Sequence, residues 1–183
     1  MNRKLFLNHA APAFTIIEIL VVVSIIGLLA GLALPAIQGA MNTAKKGKAK
    51  AEMQSIITAL KAYQNEYGRL PDPVKLGGGG DGYFDANSSP RLFLMLSGSK
   101  DDASGENPRQ IAFLELPATS TNGSFSDPFK QKKNYLVKID TDGDNVVEYY
   151  GNKNGIAVVV SLGSNGNQDD PTSKTSDDVY SFK

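Results

Sequence analysis

Two groups of acidic residues and one isolated carboxylate are the side chains of this 183-residue sequence whose type and spacing could do chemistry. Asp140, Asp142 and Asp144 have the i, i+2, i+4 spacing with which a calcium loop of the helix–loop–helix kind begins. Loop position six is Asn145 where Gly is needed, and position twelve is Gly151 where Glu is needed. Placed between two predicted strands, this group reads more simply as a turn. The second group, Asn165, Asp169, Asp170, Asp177 and Asp178, shares the stretch from Gly163 to Asp178. Calcium takes about 6–8 oxygens, which a loop supplies by mixing side-chain and main-chain donors. The competing reading is an acidic loop facing solvent.

The isolated carboxylate is Glu18. It stands at the head of an apolar run in which Ile19 to Leu34 contains a single polar residue, Ser24. From Phe14 to Pro35 a helix would extend roughly 30 Å, the thickness of a bilayer's hydrocarbon. A carboxylate in such a segment is costly and normally has a partner or a function. No basic residue lies within a turn of Glu18. A partner would arise if the chain were cut before Phe14, because the new α-amino group would lie one turn away, on the same chain or on a neighbouring copy. Pairing between copies would neutralise both charges and set an axial stagger.

Composition narrows the options. Lys plus Arg and Asp plus Glu both number 19, so net charge suggests no nucleic-acid partner. There is no cysteine, which excludes disulfides, thiol nucleophiles and cysteine-ligated metals. Loss of residues 1–13 would remove Arg3, Lys4 and the one histidine, His9, leaving 17 basic against 19 acidic residues. With no His, no Cys and no base at motif spacing from a serine, no enzyme is expected.

The segment Ala13-Phe14-Thr15-Ile16-Ile17-Glu18 resembles the class III signal of type IV pilins and type II secretion pseudopilins. A short basic leader with Arg3 and Lys4, a small residue, Phe at the new position one and Glu at position five all match; the family usually has Gly where Ala13 stands. Gly27 and Pro35 fall at two further family landmarks. The resemblance implies that a prepilin peptidase cuts between Ala13 and Phe14 and methylates the new amine. It also implies that Glu18 pairs with a neighbour's amine during assembly, and that the N-terminus is cytoplasmic. Unlike an ordinary secretory signal, the cut precedes the apolar segment, so the helix stays with the product.

The remaining sequence must position these groups. Gly27 and Gly31 make a small-xxx-small spacing suited to close helix approach. Pro35 cannot donate to Gly31 and predicts a kink. Beyond it, Met53, Ile56, Ile57, Leu60, Tyr63 and Tyr67 follow helical periodicity up to a stop at Gly68 and Pro71. Lys45, Lys46, Lys48 and Lys50 form a basic cluster, read as a solvated face or as a contact with headgroups or with the next copy's acidic groups. Four consecutive glycines, 77–80, lack the strand before and the Lys-Ser/Thr after that a phosphate loop needs. Ser89 to Leu96 predicts a short helix, and Asn107 to Leu116 a short strand or extended packing segment. Asp127-Pro128-Phe129 partly resembles the family's Asp-Pro-Trp-Gly turn. Four strands, Tyr135–Ile139, Val146–Tyr150, Ile156–Leu162 and Val179–Phe182, predict an antiparallel meander.

The expected fold class is therefore α+β: a long, kinked N-terminal helix, half in the membrane, packed on a small antiparallel sheet in the pilin manner. The expected parts are leader 1–13, membrane and filament-core helix 14–35, soluble helix 36–68, a variable region 69–132 and the sheet with its acidic loop, 133–183. In major pseudopilins a loop between the last two strands holds structural calcium. By that resemblance the ion would be held by Leu162, Asn165, Asp169, Asp177 and Asp178, with Asn165 where the family has Asp. The absence of a cysteine-stapled loop favours pseudopilins over adhesive pilins. The implied function is a structural subunit of a type II secretion pseudopilus, anchored in the inner membrane with its C-terminal domain in the periplasm. Its implied partners are further copies in a helical filament, prepilin peptidase, minor pseudopilins, the inner-membrane secretion platform and the membrane. The alternatives are a surface type IV pilin and a monomeric membrane-anchored calcium-binding module.

Overall fold

The computed structural model describes residues 14–182. Helix α1 runs from Ile16 to Tyr67 and passes through Pro35 without interruption. The chain divides into two units, residues 1–42 and 43–183.

In the first unit, the described residues are the apolar part of α1. Every residue from Phe14 to Ala44 is exposed, including Ile16, Ile19, Leu20, Leu28, Leu32 and Ile37. A helix apolar on all sides and buried nowhere has no soluble core to join. It is long and apolar enough to cross a membrane.

The second unit is built on the other end of α1. Ala49, Met53, Ile56, Ala59, Leu60 and Tyr63 form its buried stripe. Gly68 ends the helix in the left-handed conformation, φ +71°, its N–H donating to the Gln64 carbonyl at 2.8 Å. Strand β1 (Tyr83–Phe84) and helix α2 (Ser89–Leu96) follow, then β2 (Leu136–Ile139), β3 (Val146–Glu148), β4 (Asn152–Asn154), β5 (Ala157–Ser161) and β6 (Val179–Tyr180). One antiparallel sheet has the order β1-β2-β5-β6, with Leu136 opposite Val160 and Ile139 opposite Ala157. Alternation sorts the side chains: Val137, Ile139, Ala157 and Val159 join the core with α1 and α2, while Leu136, Val158 and Val160 join a second cluster on the other face. Because both faces are covered, β5 is apolar without alternation, as a buried strand should be.

That second cover was not foreseen. Val146–Glu148 does not continue the sheet as a meander strand; it pairs with Asn152–Asn154 in a separate ribbon whose Val147, together with Tyr149 just beyond β3, packs on the sheet's far face. The freed edge of β2 is taken by Tyr83–Phe84. Nor does Asn107–Leu116 contain a strand. The N–H groups of Phe113 and Leu114 instead both reach the Leu96 carbonyl at the end of α2, and Leu114 is buried as a packing segment.

Candidate functional site

At its N-terminus α1 begins with a reciprocal cap. The Thr15 N–H and Thr15 Oγ1 both donate to Glu18 Oε2 at 2.8 Å, and the Glu18 N–H donates back to Thr15 Oγ1 at 3.3 Å. This is the Thr-x-x-Glu capping box, which satisfies N–H groups that the first helical turn leaves open. The carboxylate thus has a partner that charge-based reading of the sequence passed over, although Thr-x-x-Glu before an apolar run is a legible signal. Among the described residues no hydrogen bond reaches Glu18 Oε1. Phe14 is exposed at the helix entry, while Ala13 and the leader lie outside the described residues. Gly27 and Gly31 face open space, with no atom within 4 Å of where a Cβ would stand. Both are accessible to another helix.

The acidic loop follows β5. Gly163 adopts φ +63°, and a Cβ there would lie 2.6 Å from the Asp177 carbonyl oxygen and 2.7 Å from Asp177 Oδ1, so glycine is needed for the loop's two ends to meet. Asp177 Oδ2 accepts the N–H groups of Ser164 at 2.7 Å and Asn165 at 3.1 Å. Asp178 Oδ2 accepts the Asp169 N–H at 2.8 Å and lies 3.1 Å from the Tyr180 hydroxyl, which also donates to the Asp169 carbonyl. Asn165 Nδ2 donates to Asp169 Oδ2 at 3.0 Å. The effect is to bring carboxylate oxygens of Asp169, Asp177 and Asp178 within 4.8 Å of one another. Among the described residues, Asp177 Oδ1 and Asp178 Oδ1 are buried without a hydrogen-bond donor. Burial pushes the Asp178 carboxyl up to about 6, with the neighbouring Asp169 and Asp177 charges adding to it.

Orphaned, buried carboxylate oxygens beside a third carboxylate fit a hard divalent cation. Leu162, whose side chain packs on the sheet's outer face, could contribute only its carbonyl, which already accepts the Gly166 N–H at 3.2 Å and keeps a second lone pair. Asn165 Oδ1 is used by the Asn167 N–H at 2.7 Å. Gln168 anchors the loop to the aromatic cover by accepting from the Tyr83 hydroxyl at 3.0 Å and donating to the Tyr149 hydroxyl at 2.8 Å. Nothing in the sequence signals this bridge, because it joins three segments distant along the chain.

The Asp140 group differs. Asp140 Oδ1 accepts the N–H groups of Asp142 and Gly143, and its Oδ2 that of Asn145, at 3.2, 2.8 and 2.8 Å. Burial would raise this carboxyl, but the N–H groups of Gly143 and Asn145 outweigh it and hold the carboxyl below its usual range. Carboxylates of Asp140, Asp142 and Asp144 do approach within 4.8 Å, yet Asp140 spends both oxygens on its own turn.

The chain is similar to the type IV major pilin protein PilA of Myxococcus xanthus (strain DK1622), at 37% identity over 130 residues. An apolar N-terminal helix joined to a small antiparallel sheet is the α+β arrangement consistent with the pilin fold. The matched residues make up 71% of this chain and 56% of that relative, so the chain spans little over half of the relative's length. No family model and no solved structure matches the chain.

Proposed function

We propose that this chain is a filament subunit, cut between Ala13 and Phe14 by a prepilin peptidase and assembled through α1. The observation that carries this reading is the apolar part of α1, exposed on every side and headed by a carboxylate of which one oxygen takes no hydrogen bond among the described residues. Such a helix is stored in the inner membrane and withdrawn into a core of identical helices, where Gly27 and Gly31 allow close approach. Glu18 then takes the α-amino group of a neighbour's Phe14. Residues beyond the membrane segment lie in the periplasm.

The reading we favour is the pseudopilus of a type II secretion system, in which the growing filament drives folded proteins outward with minor pseudopilins and the inner-membrane platform as partners. Its support is the acidic loop, whose orphaned Asp177 and Asp178 oxygens suit structural calcium, with Asp169, Asn165 and the Leu162 carbonyl completing the set. The role of the subunit is structural, and no reaction is assigned to it. A surface type IV pilus is the second reading, favoured by the identity with a major pilin.

Mass measurement of the protein from its own membrane should give a chain beginning at Phe14, with or without one methyl group. Retention of residues 1–13 would refute the filament reading. Deletion of the gene should trap exported proteins in the periplasm; loss of surface fibres with export intact would favour the pilus instead.

A further inference from the structure

Just beyond the apolar segment, α1 carries two lysines on one flank and, on the other, Glu52 with Lys48 bridged to it. At about 100° per residue, the buried stripe of Ala49, Met53, Ile56, Leu60 and Tyr63 defines one direction. Lys46 and Lys50 project roughly 60–100° to one side of it, and Glu52 with Lys48 roughly 60–100° to the other. Lys46 and Lys50 are exposed and form no ion pair among the described residues. Glu52 is positioned firmly: the Tyr135 hydroxyl donates to its Oε2 at 2.5 Å, and Lys48 Nζ lies 3.7 Å from Oε1. It lines an open groove that also contains the buried carboxylate of Asp127, with Lys132 at the groove's wall. Asp127 is held by the Ser161 hydroxyl at 2.7 Å and the Phe129 N–H, with no cation against it among the described residues.

The geometry points to a contact between copies in which Lys46 and Lys50 of one chain meet Glu52 of the next. Two different, complementary patches on one chain make a heterologous contact, which propagates as an open helix. The contact rests on the filament reading above, and the stagger of that reading gives an independent check. Identical copies related by one screw operation keep the same axial rise at every residue, whatever the course of the chain between. If a neighbour's Phe14 amine is level with Glu18, the shift is that of four helical residues, roughly 6 Å. The neighbour's Lys46 and Lys50 then come level with residues 50 and 54, each about 3 Å in height from Glu52 and within reach of a lysine stem. The reverse shift places them level with residues 42 and 46, at least about 9 Å below Glu52. One direction of growth satisfies both contacts and the other does not.

The test uses full chains processed in their own membrane. Because the protein has no cysteine, Lys50→Cys and Glu52→Cys chains co-expressed with a short bifunctional maleimide should give a cross-linked dimer that neither chain gives alone. Lys46→Glu with Lys50→Glu removes no side-chain hydrogen bond or ion pair among the described residues and should reduce assembled protein at least tenfold, and adding Glu52→Lys should restore it. Glu52→Gln, which keeps an acceptor for Tyr135, checks that a loss is not unfolding. If wild-type chains polymerise but the pair does not cross-link and lysine reversal leaves assembly unchanged, this contact is wrong while the filament stands. If lysine reversal weakens only membrane association of unassembled chains, the flank serves lipid headgroups and the contact is equally refuted. If wild-type chains are processed but never polymerise, the filament reading itself fails.

Discussion

Asp177→Asn should invert its effect on stability when calcium is added. Without the ion, three carboxylates lie with oxygens within 4.8 Å of one another, and among the described residues Asp177 Oδ1 is buried with no hydrogen-bond donor. At an effective dielectric of about 20, two unit charges at that distance repel by roughly 3 kcal/mol; partial exposure screens this to about 1 kcal/mol per pair. Asparagine keeps an oxygen for the Ser164 and Asn165 N–H groups that now bond Oδ2, and turns its NH₂ toward Asp169 and Asp178. The ion-free variant should therefore be more stable than the parent by about 1–2 kcal/mol, or roughly 2–8 °C in a domain of this size.

Calcium reverses the order. Ion at a hundred times its dissociation constant stabilises the parent by about 2.7 kcal/mol, roughly 5–10 °C, and the variant has lost a charged ligand. Melting curves of the detergent-solubilised chain with chelator and with millimolar calcium, alongside limited proteolysis of residues 163–178, give the readout. An unchanged parent melting point and equal cleavage in both conditions would refute the cation site. A variant less stable than the parent in chelator would refute the electrostatic account of the loop.

Glu18→Ala should insert in the membrane normally, since it removes a charge from the apolar segment, yet yield no filaments by electron microscopy; normal filaments would overturn the pairing with Phe14. Gly163→Ala should cost more than about 2 kcal/mol, because φ is +63° and the new Cβ meets the Asp177 backbone, and it should abolish the calcium-dependent melting shift. Glu106 is fully buried, and accepts Arg69 at 2.6 Å, Lys75 at 2.9 Å and the Asp72 N–H at 3.0 Å. Burial alone would raise its carboxyl, but these donors lower it to about 2. A carboxyl held below its unfolded value stabilises the fold fully above pH about 4.5, and that stability is lost as pH falls toward 2. Glu106→Gln should cost about 2–3 kcal/mol at neutral pH, below the usual figure for a buried pair because Arg69 and Lys75 are half exposed, and chemical denaturation should show it flattening the acid limb.

How much could be read in advance depended on how local each signal was. The membrane helix, its continuation to Tyr67 and the stop at Gly68 follow from periodicity and from residues within a few positions of one another. Helix α2 likewise declares itself through Pro90 and its apolar spacing. The ribbon does not. Nothing in Val146–Tyr150 distinguishes a strand that joins β2 from one that folds over it; the outcome turns on Asp140, whose carboxylate closes a tight turn, and on Val147 and Tyr149 finding the outer face of Val158 and Val160. Glu106 and Gln168 were illegible for the same reason. Their partners lie 31 to 43 and 19 to 85 residues away.

The Thr15–Glu18 cap bears directly on the assembly mechanism. A carboxylate committed wholly to its own helix would have to break those bonds before accepting a neighbour's amine, and assembly would compete with helix stability. Here both donated bonds end on Oε2. The other oxygen takes no hydrogen bond among the described residues, so at this exposed helix end the cap fixes the rotamer and leaves Oε1 available at the same time. Pairing with an amine adds to the cap instead of displacing it, and the helix macrodipole favours the negative form throughout. Thr15→Val therefore separates the two roles. It keeps the charge and the size of the side chain but removes the hydroxyl that steadies Glu18. Filaments should still form, because the ion pair survives, but more slowly, as a mobile carboxylate meets the incoming amine in fewer productive orientations. Loss of filaments as complete as in Glu18→Ala would mean that the cap is part of the contact itself, and an unchanged rate would mean that it presents nothing.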